Sequence, residues 1–126
     1  MSYQVLVVDD SPVMRKMLIR VLGMSNLPIG RVHEACEGQE ALDVLTREAD
    51  INLGLFDVNM PGMNGEELVR RIRANAKLAE LPVIMVSTEG SEARIELFRQ
   101  LGATFIRKPF GPEVLVDAII SATTGG

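Results

Sequence analysis

Five short apolar runs alternate with five amphipathic segments along this chain of 126 residues. The runs lie at 5–8, 31–36, 51–56, 83–86 and 103–107. After each run, apolar residues recur three and four positions apart, which is the spacing of one helix face. Strands that alternate with helices are joined by right-handed crossovers and form a parallel sheet with helices on both faces. The pattern therefore predicts an α/β fold.

The polarity of the five runs predicts their order in the sheet. A strand that is covered on both faces reads as a continuous apolar run, so 5–8, 51–56 and 83–86 are predicted at the centre. The more polar runs, 31–36 and 103–107, are predicted at the edges. This arrangement matches the order 2-1-3-4-5 of flavodoxin-like doubly wound folds.

Length and composition indicate a single domain over residues 1–126. The net charge is −4 and no block of Lys and Arg stands out, which argues against a nucleic-acid partner. No apolar run approaches the ~20 residues that span a bilayer, and the N-terminus lacks the basic region of a signal peptide. Cys36 is the only cysteine and is predicted to be a small buried residue on an edge strand. We expect a cytoplasmic protein with no membrane partner.

Four of the predicted strands end on groups that can bind a cation or a phosphoryl group. The first ends at Asp9 and Asp10, the third at Asp57, the fourth at Ser87 and the fifth at Lys108. The carboxyl ends of parallel strands share one edge of the sheet, and ligands bind at that edge in open α/β folds. Three carboxylates, a hydroxyl and an ammonium group are therefore expected to meet there.

Neighbouring carboxylates repel one another, and a divalent cation relieves the repulsion. Oxygen ligands together with retained waters suit Mg²⁺. We predict Asp10 and Asp57 as direct ligands and Asp9 as a ligand that binds directly or through water. The backbone carbonyl of Asn59, in the loop after Asp57, is predicted to supply a further oxygen.

A carboxylate beside Mg²⁺ can attack phosphorus and form an aspartyl phosphate, and Asp57 is the candidate. Lys108 can pair with one phosphoryl oxygen as a point charge, and Ser87 can donate a hydrogen bond to another. Since Ser87 and Lys108 lie on separate loops, drawing both toward a new phosphoryl group would reshape the surface that carries them. The pattern thus predicts a two-state switch.

Four motifs occur in the order and spacing of a known family and span residues 5 to 110. They are Val-Val-Asp9-Asp10-Ser, Phe-Asp57-Val-Asn-Met-Pro61-Gly, Pro-Val-Ile-Met-Val-Ser87 and Lys108-Pro109-Phe110. On these motifs the chain resembles the receiver domains of two-component response regulators, close to the single-domain chemotaxis type. The resemblance implies that Asp57 accepts a phosphoryl group from a sensor histidine kinase, with no turnover of small molecules.

The resemblance also implies roles for residues beside the acidic edge. Phe105 is implied to be a switch aromatic, acting with Ser87, whose ring turns inward on activation. Asn59 and Glu89 are implied to tune the lifetime of the phosphoryl group. Ser87 stands where Thr is commoner in the family, and Thr88 beside it is a second candidate for the same role.

The output surface is expected to lie within 91–122. No DNA-binding or catalytic segment follows residue 122, so we expect the effector to be another protein or a separate domain. A flagellar motor switch or a kinase complex is the partner that the resemblance implies, by analogy alone.

Three other functions share parts of this pattern. A phosphatase with an aspartate nucleophile needs a second aspartate two residues later, where Ser11 and Asn59 stand instead. A flavin carrier needs a glycine- and hydroxyl-rich loop after the first strand, where Asp10 would repel a phosphate. A phosphorylation-independent interaction module of the same fold remains the alternative.

Several polar residues are predicted to have no special role. The arginines of the third helix, Arg70, Arg71 and Arg73, are predicted to form a solvated face. His33 is predicted to be a strand residue, with a role in a second site as the less favoured alternative.

Overall fold

The computed structural model describes residues 2–88 and 90–124, in which five strands alternate with five helices. The strands are β1 (Tyr3–Val8), β2 (Ile29–Ala35), β3 (Leu53–Asp57), β4 (Val83–Ser87) and β5 (Ala103–Arg107). The helices are α1 (Pro12–Met24), α2 (Gly38–Arg47), α3 (Gly65–Ala74), α4 (Glu92–Gln100) and α5 (Pro112–Thr124).

The sheet has the order β2-β1-β3-β4-β5, and every neighbouring pair of strands is parallel. This confirms the predicted flavodoxin-like arrangement. Every residue of β3 and β4 is buried, because helices cover both faces of the central strands. Among the helices of residues 2–88 and 90–124, none combines the length and apolar character that crossing a membrane requires.

Successive side chains of β1 point to opposite faces of the sheet and so belong to two separate cores. Leu6 and Val8 pack on one face with the apolar stripes of α2 and α3 and with Phe98 of α4. Val5 and Val7 pack on the other face with the stripes of α1 and α5. The two cores hold the sheet rigid, so the loops at its carboxyl edge start from fixed positions.

The second strand begins and ends earlier than the sequence predicted. The structure places β2 at Ile29–Ala35, and the carbonyl of Ala35 accepts a hydrogen bond from the amide of Asp9 at 3.1 Å. Cys36 therefore falls in the turn after the strand, where its amide donates to the carboxylate of Glu40 at 2.6 Å. The prediction that Cys36 is buried is wrong, since its side chain is exposed.

Arg73 also departs from its prediction as part of a solvated face. Its guanidinium group donates to four backbone carbonyl oxygens, which belong to Leu101 (2.7 Å), Leu81 (2.7 Å), Ala79 (3.1 Å) and Gly102 (3.2 Å). Partial burial lowers the pKa of this guanidinium group. Arg73 thus joins the loop before β4 to the turn before β5, whereas Arg70 and Arg71 lie exposed as predicted.

We expect Arg73→Ala to lower the free energy of unfolding by about 1–3 kcal/mol, because four carbonyl groups lose a charged donor. Arg71→Ala is the matched control on the same helix. Its side chain is 54% exposed and, among residues 2–88 and 90–124, pairs with Glu67 alone, so its loss should cost less than about 0.5 kcal/mol. Urea denaturation measures both, and equal losses would contradict the assigned role of Arg73.

Candidate functional site

Three carboxylates lie together at the carboxyl edge of the sheet. One oxygen from each of Asp9, Asp10 and Asp57 lies within 4.8 Å of the other two. Asp9 and Asp57 are buried, whereas Asp10 is exposed. These three residues, called here the acidic cluster, come together as the sequence predicted, because β1 and β3 are neighbours in the sheet.

Lys108 brings a positive charge to the acidic cluster from the end of β5. Its Nζ atom lies 3.4 Å from Asp9 Oδ2 and 3.6 Å from Asp57 Oδ1. Only 13% of the side chain is exposed, so water screens these two ion pairs weakly. The Lys108–Pro109 peptide bond is cis. The predicted ammonium group is therefore in contact with the cluster.

Two hydroxyl-bearing residues follow one another at the end of β4, and the structure places them differently. Ser87 is the last residue of β4 and is buried, whereas Thr88 is exposed. Asp57 is in register with Val86, the residue before Ser87. The carbonyl of Ser87 accepts a hydrogen bond from the amide of Lys108 at 2.9 Å, which connects the ends of β4 and β5.

The surroundings of Asp57 disfavour its negative charge. Burial is the main cause that raises the pKa of this carboxyl group, and the nearby charge of Asp9 raises it further. The ammonium group of Lys108 acts in the opposite direction and lowers that pKa. An added cation would relieve the remaining repulsion, and the oxygen-only donor set, open to water at Asp10, fits a hard divalent ion.

Arg15 is a supporting residue that the sequence analysis missed. Its Nη1 donates to the carbonyl oxygen of Asp9 at 2.6 Å, and its Nε donates to the carboxylate of Glu34 at 2.9 Å. The carboxylate of Asp9 in turn accepts from the amide of Ser11 at 2.9 Å. These bonds fix the backbone around Asp9. The only sequence signal was a basic residue one turn after the acidic pair.

Gly65 supports Asp57 by leaving space beside its backbone. The amide of Gly65 donates to the carbonyl of Val58 at 2.8 Å. A Cβ atom on Gly65 would lie 2.6 Å from the carbonyl oxygen of Asp57 and 2.9 Å from the Cα of Val58. Side chains cannot approach a backbone that closely. The sequence signal was a glycine at the first position of α3, directly after its cap Asn64.

The remaining predicted residues lie around this centre. Asn59 is exposed in the loop after β3. Phe105 is half-buried and packs against Phe98, with ring centroids 6.1 Å apart. Glu89 lies outside the described residues. The roles predicted for all three stay predictions.

We expect Gly65→Ala to lower the free energy of unfolding by about 1–3 kcal/mol, because the added methyl group must displace the backbone of Asp57. Gly23→Ala in α1 is the matched control. Outside its own turn of α1, no atom of the described residues lies within 4 Å of its Cβ position, so Ala should raise stability by up to about 1 kcal/mol. Urea denaturation tests both variants. A Gly65→Ala protein as stable as the wild type would show that the contact with Asp57 relaxes freely.

We also expect Asp57→Asn to stabilise the cation-free protein at neutral pH. A carboxyl group whose folded pKa is raised contributes stability at low pH and loses it as the pH rises through that pKa. The gain should therefore shrink when the pH falls and Asp57 becomes protonated in the wild type. Thermal unfolding at several pH values measures it. Asp43→Asn, at an exposed position of α2, is the control and should change stability by less than about 0.5 kcal/mol. A gain independent of pH would contradict the prediction.

Comparison with known proteins gives consistent matches. The family model of the response regulator receiver domain matches residues 5–120. The chain is 42% identical over 117 residues to a chemotaxis protein CheY homolog of Campylobacter jejuni, covering 92% of this chain and 88% of that protein. It is 39% identical to chemotaxis protein CheY1 of Helicobacter pylori, covering 92% and 93% of the two chains.

Solved structures give the same result for the fold. The structure of chemotaxis protein CheY4 of Vibrio cholerae superposes with a TM-score of 0.84 at 32% identity, covering 97% of this chain and 99% of that one. A response regulator receiver protein from Pseudomonas putida superposes with a TM-score of 0.84 at 30% identity, covering 94% and 96%.

Proposed function

Since this chain belongs to the response regulator receiver domain family, we propose that it is a phosphorylation-activated switch of a two-component system, with Asp57 as phosphoacceptor. The observation that carries the proposal is the contact of Lys108 with both Asp9 and Asp57, the two buried carboxylates of the acidic cluster. A lone structural ion pair would need one carboxylate, whereas this edge gathers three. The proposal treats residues 1–126 as one domain, acting in the cytoplasm.

The first part of the mechanism is preparation of the nucleophile. Asp57 ends β3, and its backbone is held by the close approach of Gly65, so its carboxylate has a fixed position. Asp9 and Asp10, with the backbone carbonyl of Asn59, complete an oxygen donor set that would hold Mg²⁺. When bound, Mg²⁺ would neutralise charge on the oxygens of the incoming phosphoryl group.

Phosphoryl transfer would form a bond between an Asp57 carboxylate oxygen and phosphorus, while the bond from phosphorus to the donor's leaving group breaks. In receiver domains the donor is a histidine kinase, whose phosphorylated imidazole supplies the group. Lys108, already within 3.6 Å of Asp57, is placed to pair with a phosphoryl oxygen.

The same groups would pass the change to the surface. Ser87 and Lys108 are joined through a backbone hydrogen bond at the ends of β4 and β5, so movement of either toward a phosphoryl group shifts the other. Phe105 lies on β5, three residues before Lys108, and we expect its half-buried ring to turn further inward. Asn59 and Glu89 would tune how long the phosphoryl group persists.

The output surface would comprise α4, β5 and α5, within residues 91–122. CheY-like receiver domains act on downstream effectors, and the relatives named chemotaxis proteins support a role for this chain in chemotaxis. An effector at the flagellar motor switch or in a kinase complex follows by analogy with them.

Intact mass after incubation with Mg²⁺ and a small acyl phosphate tests the phosphoacceptor. We expect a gain of one phosphoryl group that is lost with chelator, is labile to hydroxylamine and is absent in Asp57→Asn. Asp43→Asn is the matched control and should be labelled like the wild type. Labelling that persists in Asp57→Asn would move the acceptor elsewhere. No labelling of the wild type would favour the phosphorylation-independent interaction module.

Lys108→Ala tests the switch separately from the chemistry. This variant should still bind Mg²⁺ through the acidic cluster, yet phosphorylation should no longer change the environment of Phe105, because the ammonium group that links phosphoryl group and β5 is gone. Aromatic NMR signals of Phe105 before and after acyl phosphate measure the change. Wild-type-like shifts in the variant would contradict the role of Lys108.

A further inference from the structure

A second group of metal-ligand atoms lies apart from the acidic cluster. One ring nitrogen of His33 and one carboxylate oxygen from each of Glu48 and Asp50 lie within 4.8 Å of one another. His33 lies on β2, Glu48 caps the end of α2, and Asp50 lies in the connection to β3. We infer that these residues, called here the His33 triad, form a binding site for a divalent transition-metal ion such as Zn²⁺.

The His33 triad lies at a different end of the sheet from the acidic cluster. His33 is in register with Leu6, which faces the core under α2. Helix α2 starts beside the carboxyl edge and runs back, so its last residues and Asp50 lie toward the amino ends of the strands. The amide of Ile51 donates to the carbonyl of Glu48 at 3.3 Å, which holds the turn that carries both carboxylates.

The imidazole of His33 is unpaired within the described part of the chain. Its Nε2 atom is buried and has no hydrogen-bond partner there. No hydrogen bond or ion pair between described residues joins the ring to Glu48 or Asp50, although both are close. Buried polar atoms nearly always have a partner. A cation bound by the ring and by the two carboxylates would give the His33 side chain a partner.

The spacing and chemistry of the triad fit a transition metal. Zn²⁺ binds its ligands tetrahedrally at about 2.1 Å, which places any two ligand atoms about 3.4 Å apart. The three ligand atoms of the triad lie within 4.8 Å of one another, so a small side-chain movement would bring them to this spacing. The side chain of Asp50 is exposed and can make that movement. Imidazole nitrogen combined with two carboxylates favours Zn²⁺ over Mg²⁺, which prefers oxygen ligands.

The guanidinium group of Arg47 already pairs with Glu48 of the triad and would have to move away when a metal ion binds. Arg47 Nε lies 3.4 Å from Glu48 Oε2, but 65% of the Arg47 side chain is exposed, against 29% for Glu48. An ion pair that exposed contributes little and can open at small cost. A metal ion bound to the His33 triad would also join edge strand β2 to the connection between α2 and β3. Since only the folded chain has this geometry, Zn²⁺ should raise the unfolding temperature.

His33 is the only histidine of the chain, so its imidazole NMR signals need no assignment. The protein is used with saturating Mg²⁺, which occupies the acidic cluster, and with Cys36→Ser, which removes the exposed thiol as a Zn²⁺ ligand. We expect Zn²⁺ to shift the imidazole signals and to saturate at one ion per chain. Imidazole signals that stay unmoved at equimolar Zn²⁺ would overturn the site.

Substitutions test whether Zn²⁺ binds at the His33 triad or at other side chains. His33→Asn and Asp50→Asn should each weaken Zn²⁺ binding at least about tenfold by calorimetry, since each removes a direct ligand. Asp50 is exposed, so its variant folds even if His33→Asn does not. Asp43→Asn, at an exposed position of α2, is the control and should leave this Zn²⁺ affinity unchanged. Unchanged affinity in Asp50→Asn would overturn the inference, and neither result bears on phosphorylation of Asp57.

Discussion

Repulsion among three carboxylates is the constraint around which this molecule is arranged. Asp9, Asp10 and Asp57 are brought within 4.8 Å of one another by two adjacent parallel strands, and two of the three are buried. The ammonium group of Lys108 is the positive charge in contact with the buried pair. Without a cation this edge therefore lacks positive charge, and the proposed phosphorylation would add further negative charge to it.

Repulsion among the three carboxylates would push them apart unless the backbone that carries them were held in place. Arg15 holds the carbonyl of Asp9, and Gly65 allows α3 to begin against the carbonyl of Asp57. Arg73 performs a comparable task farther away, joining the loops that precede β4 and β5. These contacts are all made to backbone atoms. Each therefore positions a loop without competing for the carboxylate oxygens that we propose as ligands.

The two groups of possible ligands differ in their atoms and lie toward different ends of the sheet. Carboxylate oxygens and an ammonium group lie at the carboxyl ends of the strands, where we propose that a hard cation and a phosphoryl group bind. An imidazole with two carboxylates lies toward the other end, where the donor set suits a softer ion. Helix α2 runs back from the carboxyl edge, and its last residues carry part of the second group.

The order of residues along the chain was sufficient to predict the strand order and the meeting of Asp9, Asp57 and Lys108, because parallel strands bring all their carboxyl ends to one edge. It did not predict the exposure of Cys36, the carbonyl contacts of Arg73 or the tight fit at Gly65. Those features depend on how closely particular backbone and side-chain atoms approach one another in the folded chain. Periodicity determines which face a residue occupies, whereas only packing in three dimensions decides which atoms come into contact.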